Sequence, residues 1–436
     1  MITLRPYQEQ ALAFFQDSDS AFWAMHMRLG KTVVCIRWLI AHPREPQLIA
    51  IIAPKTVLIS WEIELAGEGH PHFSYTDGSI EKRRARLAAP EPGFHLLNYE
   101  CVKKLSNELS AFDAIVCDES VYIKNPSADV TKALLKLSKI VPIRACLSGL
   151  PNPESWEDVW SQTAFTKGGE WMGYSNFWDW RNHVFSQFGF DWLLSPKNMA
   201  KVKSAFHADA FVLTRKQAGI RDVKVRQRRQ GTMPPATRAV YDRISKSWEH
   251  PCGTLGKHKM VVINWLRQLC GGLIDTAPCP WKVDELVHIL TKELPTEQIV
   301  VWFAYNQELT NVWHALKPHS INATWITGTT KQADRRERML SFQRGERRVM
   351  LIQQACGQYG IDLSAADSAI YYSSTYRYGL RAQSEERIYQ VGKTRDLLII
   401  DFVTKDSVDE VVLESVANKK NDASFLMSKL NLQPPT

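Results

Sequence analysis

The stretch AFWAMHMRLGKT, Ala21–Thr32, joins an apolar run to a Gly-Lys-Thr turn, and a helix-like run from Thr32 to Ile40 follows it. Strand, tight turn and helix in that order aim backbone N–H groups and a helix N-terminus at a phosphate. Lys31 supplies a point charge for the outer phosphates, and the Thr32 hydroxyl suits a magnesium ion. The full pattern GxxxxGK[ST] calls for glycine at position 25, where Met25 stands, and a bare GKT also occurs in exposed loops. A second element narrows the choice. Ala114-Ile115-Val116-Cys117-Asp118-Glu119 is an apolar run ending in two adjacent carboxylates. On a buried strand such an Asp holds magnesium, and the Glu beside it polarises an attacking water. The plain alternative is a strand ending at a solvated acidic turn. It loses ground because both elements occur, in the right order.

The chain has 436 residues, 44% hydrophobic and 23% charged, which is a globular composition with room for two or three domains. No apolar stretch reaches the ~18 residues of a membrane span. The start, MITLRPYQEQ, lacks the apolar core of a secretion signal. Eight cysteines (35, 101, 117, 146, 252, 270, 279, 356) form no CxxC pair, and several sit in strand-like runs. Reduced, buried thiols in a cytoplasmic compartment are expected. His250, Cys252, His258, Cys270 and Cys279 have the spacing of no standard zinc finger, so a zinc site is not expected. The net charge of +8 fits a polyanion such as nucleic acid, although many soluble proteins are as basic.

Short apolar runs alternate with amphipathic segments in both halves. The predicted strands are Phe22–Met27, Leu48–Ala53, His95–Asn98, Ala114–Cys117 and Arg144–Ser148, then Ile299–Phe303, Ala323–Ile326, Val349–Gln353, Ser368–Tyr372 and Leu397–Phe402. Such Val/Ile/Leu runs, spaced by helix-length segments, predict an α/β fold of two tandem doubly wound parallel-sheet lobes. The boundaries are 1–150 for lobe 1, 151–210 for an aromatic-rich helical insertion, 211–250 for a basic linker and 251–436 for lobe 2. The aromatics of 151–210 either stack on bases or form a compact core; helix-like spacing favours the core. Ile220–Gln230, IRDVKVRQRRQ, either lines a phosphate groove or forms a solvated strand or linker face.

In sequence order the motifs resemble the Swi/Snf-type branch of superfamily 2 helicase-like ATPases, with RecA-like lobes. Leu4-Arg5-Pro6-Tyr7-Gln8 is similar to the family's N-terminal adenine-reading motif, and Arg28-Leu29-Gly30-Lys31-Thr32 to motif I. Ala53-Pro54-Lys55-Thr56-Val57-Leu58 with Trp61 resembles motif Ia, and Asn98-Tyr99-Glu100 motif Ib. Asp118-Glu119-Ser120-Val121 with Ile123-Lys124-Asn125 resembles the DEAH box and its extension, and Leu147–Asn152 motif III. In the second half Leu266–Cys270, Val300–Phe303, Ile326-Thr327-Gly328, the run from Gln353 to Asp367 and Gln383–Arg387 with Gly392 resemble the remaining motifs.

The resemblance implies ATP and Mg2+ as cofactors. It assigns catalysis to Lys31, Asp118, Glu119 and Arg387, and the metal to Thr32 and Asp118. Nucleotide contacts fall to Arg5, Gln8, Arg28, Leu29, Gly30, Lys31, Thr32, Gly360, Asp362 and Gln390. DNA contacts fall to Pro54, Lys55, Thr56, Asn98, Tyr99, Lys124, Asn125, Gly328 and Gln353. Three positions depart from the pattern: His26 replaces an acidic residue, Leu150 a threonine, and Gln390 the second arginine of motif VI. A glutamine cannot neutralise charge developing on a transferred phosphoryl group.

The implied function is a DNA-dependent ATPase, a monomeric motor on double-stranded DNA, forked and branched forms included. It would act in a bacterial or phage-infected cytoplasm, without a membrane. Two alternatives stand beside it: a strand-separating or fork-remodelling, annealing enzyme, and a DNA-binding scaffold whose ATPase is impaired by Gln390.

Overall fold

The computed structural model describes residues 3–152, 155–188, 191–220, 224–358, 361–389, 396–418, 423–430 and 432. The chain forms two compact units, Met1–Arg221 and Asp222–Thr436, and passes between them once.

Among the described residues, unit 1 is built on a seven-stranded sheet. Its strands are β1 (Ser20–Met25), β2 (Leu48–Ala53), β3 (His72–Ser74), β4 (Gly93–Asn98), β5 (Ala114–Asp118) and β6 (Ile143–Leu147). A separate antiparallel hairpin, β7 (Phe185–Phe188) and β8 (Asp191–Leu194), stands outside the sheet, which β9 (Phe211–Leu213) completes. The order is β3-β4-β2-β5-β6-β1-β9, and every pairing is parallel. The central strands LIAIIA and AIVCD are buried almost throughout because helices cover both faces. One face packs Trp23, Trp38, Trp61 and Val116; the other packs Phe22, Ile115, Trp160 and Phe206.

The segment 151–210 packs on that second face. The segment supplies helices Asp158–Thr166, Phe177–Val184 and Pro196–Asp209, which roof the sheet. Trp160, Trp171, Phe177 and Trp180 are buried there, so the aromatics are chiefly core. The β7–β8 hairpin adds two short strands to the expected helical insertion; they alternate too briefly to stand out among aromatics.

Unit 2 carries β10 (Lys224–Gly231), β11 (Ile299–Phe303), β12 (Ala323–Ile326), β13 (Val349–Gln353), β14 (Ser368–Tyr371) and β15 (Leu397–Thr404). They form a parallel sheet in the order β10-β15-β14-β11-β13-β12. Two apolar clusters flank it, one around Phe303 and Ile400 and one around Trp302 and Ile352. The basic run predicted as groove, strand or linker face is therefore an edge strand. Its polar side chains remain largely exposed while its backbone pairs with β15 along eight residues. Charged side chains on an edge strand also discourage pairing with other chains. No helix among the described residues is long and apolar enough to cross a membrane.

Candidate functional site

Beyond Met25 the chain turns through residues 26–30 into the helix Lys31–Ile40. Arg28 (φ 65°) and Gly30 (φ 78°) both take the left-handed conformation. Three neighbours pin the turn. The His26 N–H donates to Leu213 O on β9 at 2.8 Å. Buried Arg215 donates to Met27 O at 3.4 Å. Gln8 Nε2 donates to Leu29 O at 3.1 Å, while Gln8 Oε1 accepts from Arg5 N at 2.8 Å. A Cβ on Gly30 would stand 2.2 Å from Gln8 Nε2, so the glycine meets both a backbone and a packing requirement. Met25, where the pattern expects glycine, is the fully buried last residue of β1, paired with Leu213. The strand here runs up to the loop and leaves that position in the core.

Gly149 closes against the same loop: a Cβ there would lie 2.6 Å from Met27 Cγ. The Leu150 N–H donates to the buried Ser148 hydroxyl at 3.3 Å. The turn after β6 is thus held by a serine that accepts from the Leu150 backbone.

Lys31 Nζ donates to Met25 O at 3.1 Å. Asp118, at the end of β5, is 5% exposed. Its Oδ2 accepts from Trp61 Nε1 at 2.9 Å and its Oδ1 from Glu119 N at 2.7 Å. Burial, reinforced by the neighbouring Glu119 charge, pushes its carboxyl up to about 6, against the pull of Lys31 and the Trp61 hydrogen bond. Glu119 takes φ 51°, turning its backbone sharply out of the strand. Two adjacent carboxylates, one deeply buried, are short of positive charge. A divalent cation at Asp118 would fit that deficit, with Thr32 assigned to it by the resemblance alone, and it would draw electron density from phosphate oxygens and a bound water.

Two further groups brace this centre: Trp61, read in the sequence only as part of the motif Ia resemblance, and Gln162, to which the sequence assigned no role. Trp61 is fully buried against Asp118. Gln162 accepts from Ser120 Oγ at 2.7 Å and donates to Pro151 O and Asp158 O, each at 2.7 Å. Nothing in a helical glutamine signals such a bridge between the carboxylate turn and the turn after β6.

The expected DNA residues divide by exposure. Lys55 is exposed at the start of helix Lys55–Glu68, capped by buried Pro54, and Asn125 is exposed with its Oδ1 accepting from Ser127 N at 2.9 Å. Lys124 is half-buried and 3.8 Å from Asp158. Asn98 and Tyr99 lie inside, at 4% and 3% exposure. Tyr99 stacks on Tyr122 with ring centroids 5.1 Å apart, and its hydroxyl donates to Asp118 O at 2.9 Å. Asn98 accepts from Arg83 at 3.0 Å. In this conformation Tyr99 braces the carboxylate turn, and Asn98 is held by Arg83 and Cys101. The Thr56 side chain lies outside the described residues.

In unit 2, Gly328 and Gln353 come together: a Cβ on Gly328 would stand 3.7 Å from Gln353 Oε1. Asp362 Oδ1 accepts from Ser364 N at 3.0 Å. The Leu363 N–H donates to Arg387 O at 3.0 Å, tying that loop to the end of helix Tyr378–Ile388. Arg387 is half-buried; Gly360 and Gln390 lie outside the described residues. The same helix is held by an ion network that the sequence did not reveal. Arg381, 1% exposed, donates to both oxygens of Asp401 (2.6 and 3.1 Å) and to Glu385 (2.8 Å). Arg226 on β10 grips Glu385 with two hydrogen bonds of 2.9 and 2.8 Å. Lys224 reaches Glu385 at 3.3 Å and Glu386 at 3.1 Å.

Two families match the chain: the SNF2-related domain over residues 7–208 and the helicase conserved C-terminal domain over 281–392. "Probable ATP-dependent DNA helicase CHR12" of Arabidopsis thaliana is 25% identical, over 98% of this chain and 42% of that protein. The SWI/SNF-related matrix-associated actin-dependent regulator of chromatin subfamily A-like protein 1 of Xenopus laevis is 21% identical, over 95% of this chain and 43% of that protein. The chain thus spans about two-fifths of the length of these curated relatives. A solved structure, the Sulfolobus solfataricus SWI2/SNF2 ATPase core in complex with dsDNA, aligns over 96% of this chain and 91% of that one, at 18% identity and a TM-score of 0.46. With the two families matched in tandem on two parallel-sheet units, the chain belongs to the Swi/Snf-type branch of superfamily 2 helicase-like ATPases.

Proposed function

We propose that this chain hydrolyses ATP and uses the energy to move along double-stranded DNA. The observation that carries the reading is the centre formed by Lys31, Asp118 and Glu119. A lysine follows a left-handed glycine at a helix N-terminus, within electrostatic reach of a buried carboxylate that has a second carboxylate beside it in sequence. Its parts match a phosphoryl-transfer site. The Gly30 turn and Lys31 bind the β- and γ-phosphates, with Arg5, Gln8, Arg28 and Leu29 shaping the adenine side. Asp118 and Thr32 hold magnesium, and Glu119 orients the attacking water. Arg387, with Gly360, Asp362 and Gln390 beside it in sequence motifs, is assigned to the γ-phosphate.

The chain's excess of basic residues and exposed Lys55 and Asn125 support a phosphate-backbone contact. Such contacts position the protein without reading sequence. The names of the relatives, which include DNA helicases and a SWI2/SNF2 core bound to dsDNA, support duplex DNA as the track. A monomer acting on forked or branched duplex belongs to the same reading.

The test is phosphate release with no nucleic acid, single strands, duplex and forks in parallel, with Lys31→Ala as the blank. Duplex should stimulate wild type well above the blank. Wild-type turnover equal to the blank on every substrate ends the proposal.

A further inference from the structure

The ion network on helix Tyr378–Ile388 is placed unlike an ordinary surface cluster. The chain enters unit 2 once, at the Arg221/Asp222 division, and β10 begins at Lys224. The first two cations of that strand, Lys224 and Arg226, are committed to Glu385 and Glu386. Those carboxylates immediately precede Arg387 in sequence. Glu385 is 4% exposed and is gripped from two directions, by Arg226 on β10 and by Arg381, which in turn is locked to Asp401 on β15. Burial would raise the Glu385 carboxyl, but Arg381, Arg226 and Lys224 overcome it and hold the group down to about 2. The C-terminal end of the helix is fixed separately, through the Leu363 N–H to Arg387 O.

The pairs differ in character. Arg381–Asp401 is sealed in the core. Arg226 is half-exposed at 51%, on an edge strand, so its two bonds to Glu385 can be removed without opening the core. A planar guanidinium gripping both oxygens fixes orientation as well as distance, which a lysine does not.

We propose that Arg226 is a positioning residue for Arg387, clamping Glu385 so that the helix bearing Arg387 is tied to the strand by which the chain enters unit 2. The proposal rests on the assignment of Arg387 to the γ-phosphate. Displacement of the chain at residue 224 is then passed by a rigid fork to the helix that presents Arg387, and Lys224 reinforces it through Glu386.

The experiment compares wild type, Arg226→Gln, Arg226→Lys, Arg387→Ala and the Arg226→Gln/Arg387→Ala double variant. Each is measured for thermal melting, for steady-state ATP hydrolysis with duplex DNA across a range of ATP concentrations, and for hydrogen exchange across residues 378–388 without ligand. Arg226→Gln should melt near wild type, exchange faster in that helix, and lower kcat several-fold with KM for ATP within about twofold. Arg226→Lys should recover part of the rate. The double variant should be no slower than Arg387→Ala, because Arg226 acts through Arg387. Unchanged exchange or wild-type kcat in Arg226→Gln, with Arg387→Ala slow, overturns the proposal and leaves the role of Arg387 intact. Losses that multiply in the double variant also overturn it. A wild-type rate in Arg387→Ala removes the assignment of Arg387 itself, and the proposal falls with it.

Discussion

The indole Nε1 of Trp61 donates a 2.9 Å hydrogen bond to Oδ2 of Asp118, across 57 residues of sequence. It engages Oδ2, while the N–H of the neighbouring Glu119 engages Oδ1, so each oxygen of this buried carboxylate has a donor. The bond also favours the ionised form, opposing burial.

Trp61→Phe should therefore raise the Asp118 carboxyl further above about 6 and move the acid limb of the pH profile of kcat/KM to higher pH. Loss of a hydrogen bond to a charged group should cost about 1.5–3 kcal/mol of stability above that pH. Because the folded-state value is raised, the stability linked to Asp118 is full below its ordinary value and is lost as pH rises through about 6. The penalty of Trp61→Phe should shrink below that range. An acid limb that stays in place in the variant would show that another group controls it.

Glu308, in unit 2, offers a second stability test. It is fully buried, accepts from Tyr305 N at 3.2 Å and from the Ser373 hydroxyl, and burial pushes it up to about 7 despite nearby Lys282. Its contribution to stability is complete below the usual carboxylate range and is lost as pH rises through about 7. Glu308→Gln should melt above wild type at pH 8, by about 1–3 kcal/mol, and the two curves should converge below pH ~5. Parallel melting curves across that range would contradict the argument.

Gly30→Ala places a Cβ 2.2 Å from Gln8 Nε2 at φ 78°. The left-handed conformation alone costs about 1–2 kcal/mol for a residue with a Cβ. Nucleotide affinity should fall at least tenfold, read by titration with a fluorescent ATP analogue. Adding Gln8→Ala should restore part of the melting temperature by removing the collision, but not the affinity, since the lost side chain also anchors Leu29 O.

Tyr99→Phe and Lys55→Ala should separate brace from track. Tyr99→Phe deletes the buried bond to Asp118 O and should cost about 1 kcal/mol of stability while leaving duplex affinity unchanged. Lys55→Ala should leave melting unchanged, weaken duplex binding and lower the slope of log affinity against log salt by about one. Weakened duplex binding in a fully folded Tyr99→Phe would return that residue to the DNA surface.

The strands were legible where burial on both faces made them continuous apolar runs: LIAIIA and IVVWF were located to the residue. Of the edge strands, β12 was located to the residue, whereas β3 and β9 were missed and β10 was only one of the alternatives left open. β3 spans three half-buried residues, and the charges of β10 conceal a strand paired along its backbone with β15. At the site, Gly30-Lys31-Thr32 and Asp118-Glu119 announced themselves because phosphate and metal chemistry demands those types at adjacent positions. Trp61, Gln162 and Arg226 did not, because each acts on a residue distant in sequence, and that pairing is created only by the fold.

The parallel pairing of β10 with β15 joins Lys224 to Leu397 and Gly231 to Thr404. The opening strand of unit 2 thus finds its sheet neighbour only when nearly all of that unit has left the ribosome, whereas every strand of unit 1 is available by Leu213. Vectorial synthesis should therefore yield a folded first half carrying an unfinished second one, whose charged leading strand stays soluble while it waits.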